Sequence, residues 1–140
     1  MIENIKAIQK TIQSTSIILK QMMNSGEFTN NNDAFVVLRA CLKSLRDRLE
    51  TGEAFHLGSQ LPALLRGYYY EGWKPSSTPK KIRNKEDFLA DIQFHLNGHE
   101  ELKLEKVVPI GMKCILDFID QGEAVEVLHN LPKEIRELFP

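Results

Sequence analysis

The sequence is poor in everything that marks a specialised environment. Only two cysteines occur in 140 residues, Cys41 and Cys114, with no Cys-x-x-Cys pair and no Cys/His cluster. A disulfide scaffold and a thiolate metal site are therefore not expected. Both cysteines sit inside apolar helical patterns and read as buried, inert thiols of a reducing cytosol. No apolar run approaches the ~20 residues needed to span a bilayer. The stretch 1–13 alternates isoleucine with polar residues instead of forming the apolar core of a signal peptide. A cytoplasmic protein without a membrane partner is the expectation. No excess charge of either sign exists, since 18 basic and 19 acidic residues leave a formal net charge of −1. Bulk attraction to nucleic acid or to an anionic surface has no basis in that balance. The eight glycines are dispersed as helix stops, with no phosphate-binding loop among them. No segment alternates with the period of two that a half-buried strand requires.

What the chain does have is helical periodicity. Hydrophobic residues make up 42% and charged residues 26%, enough for a core and against global disorder. Ile5, Ile8, Ile12, Leu19 and Met22 fall near one face of a first helix, ended by Asn24-Ser25-Gly26. The run from Asn30 to Asp33 offers N-caps for a second, which carries Phe35, Leu38, Leu42, Leu45 and Leu49 on one face. Its opposite face holds Arg39, Lys43, Arg46 and Asp47. Gly52-Glu53-Ala54 opens a short helix through Leu57, and Leu61-Pro62 starts another that runs into Tyr68-Tyr69-Tyr70. Gly72 to Pro79 reads as a loop. A helix from about Lys85 stops at Asn97-Gly98, and a further one runs to Ile119, with Pro109 either opening or kinking it.

A shift of 70 positions aligns the chain with itself. Leu49-Glu50-Thr51-Gly52-Glu53-Ala54 faces Ile119-Asp120-Gln121-Gly122-Glu123-Ala124, and Gln60-Leu61-Pro62 faces Asn130-Leu131-Pro132. Lys43, Asp47 and Arg66 face Lys113, Asp117 and Arg136, and Tyr69 faces Phe139. The register holds without a gap over about 30 positions, which apolar periodicity alone does not produce. The expected architecture is an all-α helical bundle of two tandem pseudo-symmetric repeats, about 1–73 and 80–140, joined by a linker at about 74–79 and packed as a single domain over 1–140. Paired contacts between Arg66, Arg136, Glu53 and Glu123 would fix the corners of the two units.

The stretches Arg46-Asp47-Arg48-Leu49, Glu53 to Pro62 and Leu65 to Pro75, with Ile18-Leu19-Lys20 upstream and Glu86-Asp87-Phe88-Leu89 downstream, resemble a bacterial family catalogued as domain-of-unknown-function family 2267. The likeness covers most of the chain and loosens after about Gly98. It implies a helical fold, a bacterial origin and a cytoplasmic location. It brings no established activity and no catalytic or ligand residues.

Four constellations are candidates for chemistry. Tyr68, Tyr69, Tyr70 and Trp73 lie within six positions, and consecutive helical residues point ~100° apart, so they cannot all enter one core. Tyr69 is expected inside, and Trp73 is expected to staple the following loop to the bundle, with packing weighed above recognition for the run as a whole. The exposed members, flanked by Lys74, Lys80 and Lys81, form the candidate interaction surface, since Tyr, Trp and Arg dominate binding hot spots. The copy ending at Pro140 has no counterpart of this extension, which places the expected binding activity in the first unit. The basic residues Lys74, Lys80, Lys81, Arg83 and Lys85 form a weak nucleic-acid candidate, because short charged loops are ordinarily solvated.

His95 and His99, beside Glu100 and Glu101, have a chelating i, i+4 spacing, but Asn97-Gly98 breaks the helix between them, so solvated histidines and no metal are expected. Arg66, Arg136 and His56 would form an anion cleft if they converge. Ser59 lacks the strand–turn–helix setting of a nucleophile elbow. With no catalytic constellation and no cofactor motif, the leading expectation is a non-enzymatic interaction or regulatory module with a protein partner. The alternatives are a small-molecule or anion-binding protein using the cleft between repeats, and a weak nucleic-acid binder.

Overall fold

The computed structural model describes residues 1–99 and 101–139. Among them lie eight α-helices and no β-strand: α1 (Lys6–Met23), α2 (Asn31–Arg48), α3 (Thr51–Ser59), α4 (Ala63–Tyr70), α5 (Lys85–Leu96), α6 (Leu104–Phe118), α7 (Gln121–His129) and α8 (Lys133–Arg136). None of the helices is long and apolar enough to cross a membrane. Glu100, grouped above with His99, and Pro140 fall outside the described residues.

Local chemistry sets the boundaries. The Asn30 side chain caps α2 by accepting the Asp33 N–H at 2.8 Å, and Asn84 caps α5 by accepting the Asp87 N–H at 2.8 Å. Asp120 caps α7 through the N–H groups of Gly122 and Glu123. Asn97 and Gly98 stop α5 with φ of 53° and 100°, the left-handed turn that asparagine and glycine tolerate best. α4 and α8 each begin directly after a Leu-Pro pair. α6 begins at Leu104 and runs through Pro109, so the carbonyl of Glu105 lacks its intrahelical donor. A single 3-10 turn, Pro75–Ser77, interrupts the loop after α4.

Helix α2 is the hub. It packs against α1, α4, α5 and α6, and Val37, Leu38, Cys41, Leu42 and Leu45 are fully buried along it. Each such side chain contributes on the order of 1.5–3 kcal/mol relative to exposure. Gly111 brings α6 close: a Cβ there would stand 3.1 Å from the Cys41 sulfur. Both cysteines are buried as expected, and burial pushes the Cys41 thiol up to about 12 and the Cys114 thiol up to about 11.

Two parts of the helical patterning are corrected. The stripe of α1 is buried only in its second half, at Thr15, Ile18 and Met22. Ile5 and Ile12 are 51% and 53% exposed; α4 meets this part of α1 at Thr11, whose hydroxyl accepts the Leu64 N–H at 2.8 Å, and leaves both isoleucines open. On α2, Arg46 and Asp47 belong to the interior and not to a solvated face; they are 2% and 4% exposed. A hub helix contacted on several sides has little outer face left. The element boundaries also recur at the offset of the sequence match: α3 and α7 start at 51 and 121 and end at 59 and 129, and α4 and α8 start at 63 and 133. α3 and α7 pack against each other.

Candidate functional site

The aromatic run of α4 divides as its angular spacing requires. Tyr69 is fully buried, donates its hydroxyl to the Ala54 carbonyl at 2.7 Å, and has its ionisation pushed far up by burial. Tyr68 is half-buried on the other side, edge-on to Phe35, with the Arg39 guanidinium 3.9 Å from its ring centre. That geometry is a cation–π contact. Tyr70 and Trp73 stack at 5.6 Å, and both meet Phe55 of α3, which lies 4.8 Å from Trp73. Phe55 is 53% exposed although it is part of this three-ring cluster. Trp73 packs against the core while its indole Nε1, itself covered, donates to no described residue. Lys74, which follows Trp73 in the chain, is exposed, and so is Lys81.

Beneath the loop lies a charged cluster that sequence reading did not anticipate. Arg46 donates to both Asp47 oxygens, at 2.9 and 3.2 Å, and to the carbonyls of Tyr69 and Glu71, at 2.7 and 3.0 Å. It thereby ties the end of α4 to α2. Lys80 reaches Asp91 at 3.0 Å and Asp47 at 3.5 Å, and its backbone N–H donates to the Asp47 carbonyl at 2.7 Å. Burial pulls the Lys80 ammonium down, but Asp91 and Asp47 outweigh it and leave the group raised. Lys80 is thus a structural cation and not a free charge of the linker. His95, expected in solvent, has a side chain only 14% exposed, 3.9 Å from both Asp47 and Asp91. Burial lowers its affinity for a proton against the pull of the two aspartates. A cavity of about 250 Å³ opens over these groups, with Lys74, Ser77, Thr78 and Phe94 on its walls.

The three residues proposed for an anion cleft take different positions. Arg66 folds back on the end of α3 and donates to the carbonyls of Gly58, Ser59 and Leu61 at 3.0, 3.2 and 2.9 Å. These bonds satisfy carbonyls that a helix end leaves free. Arg66 also borders a cavity of about 400 Å³ between α1 and α4 that neither His56 nor Arg136 lines. Arg136 is exposed on α8. His56 stands 3.0 Å from Glu123 and 3.8 Å from Glu53. The expected Arg–Glu pairing is therefore replaced. Arg66 takes carbonyls, and the two matched glutamates meet each other across the α3/α7 contact.

Glu123 is 2% exposed. Burial, then the adjoining Glu53 carboxyl, raises its carboxyl to about 8. Among the described residues no amide, hydroxyl or guanidinium donor reaches either of its oxygens. The 70-residue match contained this pair, since Glu53 and Glu123 occupy equivalent positions; what it lacked was the direction in which the two corners face. Phe55 and Phe94, 53% and 77% exposed, were also missed, because an apolar residue in a helical pattern reads as core.

These features define an all-helical protein whose one concentrated aromatic edge is anchored over a buried ionic cluster. The chain belongs to the family described as "Uncharacterized conserved protein (DUF2267)", whose family model matches residues 15–138. No curated protein matches the chain.

Proposed function

We propose that this chain is a non-enzymatic helical interaction module of the bacterial cytoplasm, which binds a protein partner through the edge formed by Phe55, Tyr70 and Trp73 with Lys74 beside it. The observation that carries the reading is Phe55, a large apolar ring half in solvent while packed on the only tryptophan. Such amphipathic, rigid aromatic clusters supply contact area at low entropic cost, and they are favoured anchors. Arg46 and its carbonyl bonds hold the edge in place, so little ordering remains to be done on binding. We read the two units as a duplication packed as one domain, with the recurring helix bounds in support.

The anion-cleft alternative draws less support, since Arg66 is occupied with carbonyls and lies in a different cavity from His56 and Arg136. The nucleic-acid alternative loses Lys80 to Asp91 and Asp47. The test is capture from cell lysate by immobilised wild type, identification of the captured protein, and titration of that purified protein while following Trp73 fluorescence. Phe55→Ala is expected to abolish capture and leave helicity unchanged. Capture that survives both Phe55→Ala and Trp73→Ala, or no capture by wild type, overturns the reading.

A further inference from the structure

Each well-buried acid cluster in this fold needs a cation. At Asp47 and Asp91 the fold supplies Arg46 and Lys80. At Glu53 and Glu123 it supplies neither lysine nor arginine; the only basic group paired with these two acids among the described residues is His56. A buried carboxylate without counter-charge is costly, and it is neutralised by a proton or by a metal ion.

The geometry points to a divalent-cation site formed by Glu53, His56 and Glu123, suited to a first-row ion such as Zn²⁺. One ligand atom from each residue falls within 4.8 Å of the other two. His56 Nδ1 stands 3.0 Å from Glu123 Oε1 and 3.8 Å from Glu53 Oε2. Ligands at Zn–O and Zn–N distances of ~2.1 Å in a tetrahedron lie about 3.4 Å apart, so these spacings bracket the requirement. Glu53 and His56 are i, i+3 on α3 and share a face, while Glu123 enters from α7. Glu123 is the independent indication of a ligand: its side chain is 1% exposed and aimed at the other two, and apart from the approach of His56 no amide, hydroxyl or guanidinium donor among the described residues reaches either oxygen.

Two carboxylates balance a divalent charge, and one imidazole with two oxygens suits Zn²⁺ or Mn²⁺ better than a thiolate-seeking ion. His56, 63% exposed, marks the solvent side, which gives the ion an entry path and leaves a fourth position to water. Asn130 donates to Glu53 Oε1 at 3.5 Å and orients that carboxylate. The ion would join α3 to α7, the two corners that the sequence match pairs.

The other histidine–carboxylate groups lack one of these properties. The set of Asp47, Asp91 and His95 already holds its cations, and Asp33, His99 and Glu101 are partly or fully open to solvent.

The test is calorimetric titration of the full chain with Zn²⁺ and separately Mn²⁺ at pH 7, after chelator treatment and dialysis. One saturable equivalent is expected, accompanied by a rise in Tm. Glu123→Gln and His56→Ala are each expected to weaken it by at least about tenfold, in line with losses at metal-site residues, while His99→Ala leaves it unchanged. Should Glu123→Gln fail to fold, the exposed His56 keeps the question decidable. Absence of saturable binding of either ion to wild type, or binding that survives His56→Ala undiminished, overturns the site and leaves a proton as the only counter-ion of the glutamate pair.

Discussion

Gly58 of α3 lies directly under the Tyr70 ring of α4, and a Cβ added at Gly58 would collide with the Tyr70 hydroxyl and come 2.9 Å from Tyr69 Cε2. The aromatic edge therefore depends on a missing side chain in the neighbouring helix. Gly58→Ala is expected to destabilise the fold: overpacking costs ~1–3 kcal/mol, offset by ~1 kcal/mol of helix propensity. Gly67→Ala, in the interior of α4 with nothing within 4 Å of its added Cβ, is expected to gain about 0.5–1 kcal/mol instead. Urea midpoints of the two variants should move in opposite directions. If both move upward, α4 is not held against α3 by this contact.

Asp47 sits between Arg46 and Lys80, and the two cations do not depend on it equally. Arg46 is 2% exposed and loses in Asp47→Ala the only carboxylate paired with it among the described residues. The expected cost is about 3–5 kcal/mol, typical of a buried charge stripped of its partner. Lys80 has a side chain 38% exposed and is paired twice, so Lys80→Ala should cost no more than ~1 kcal/mol. Chemical denaturation compares them. Equal losses would place Lys80 in the interior with Arg46.

Cys41 and Cys114 are expected to be silent toward thiol reagents in the folded protein at pH 8. The thiolate is the reacting species, and burial holds the two thiols at about 12 and about 11. Both should react within the mixing time in denaturant. Fast modification of the native chain by an aromatic disulfide reagent would mean that α6 opens from α2 readily, since Gly111 and Cys41 are in contact there.

Much of this fold follows from residues that act locally. Asn30, Gly26, Asn97 and Gly98 mark helix ends through backbone chemistry that needs no partner, and the structure places those ends where the residues indicate. Arg46 and Asp47 illustrate what local pattern cannot convey. Their spacing from Leu42 and Leu45 puts them on the polar side of an isolated helix, but α4 and the linker cover that side and turn it into interior. Ile12 is the reverse case, an apolar residue on the expected stripe of a helix that α4 meets at the adjoining Thr11 and leaves open at Ile12 itself. The candidate site was half legible. Tyr69 and Trp73 take the places their spacing implies, whereas Lys80 and His95 are drawn into the cluster by acids 33 to 48 positions upstream or on α5, which no short-range pattern reveals.

His95 gives the fold an expected acid sensitivity. The groups facing it are Asp91 on its own helix, Asp47 and Arg46 on α2, and Lys80 from the linker. Burial is the largest influence and lowers its proton affinity; the aspartates oppose that and the two cations add to it. The folded state therefore binds this proton less tightly than the unfolded chain, whose histidine titrates near ~6.5. Stability from the neutral ring is present above that value and is lost as the pH falls through the lower folded value. His95→Gln, which cannot take up the proton, should show a flatter dependence. Urea midpoints of wild type and variant at pH 7.5, 6.5 and 5.5, each, are the measurement. Wild type should lose ground relative to the variant as the pH falls. If it gains ground instead, Asp47 and Asp91 win over burial, and His95 serves the cluster as a third cation beside Arg46 and Lys80.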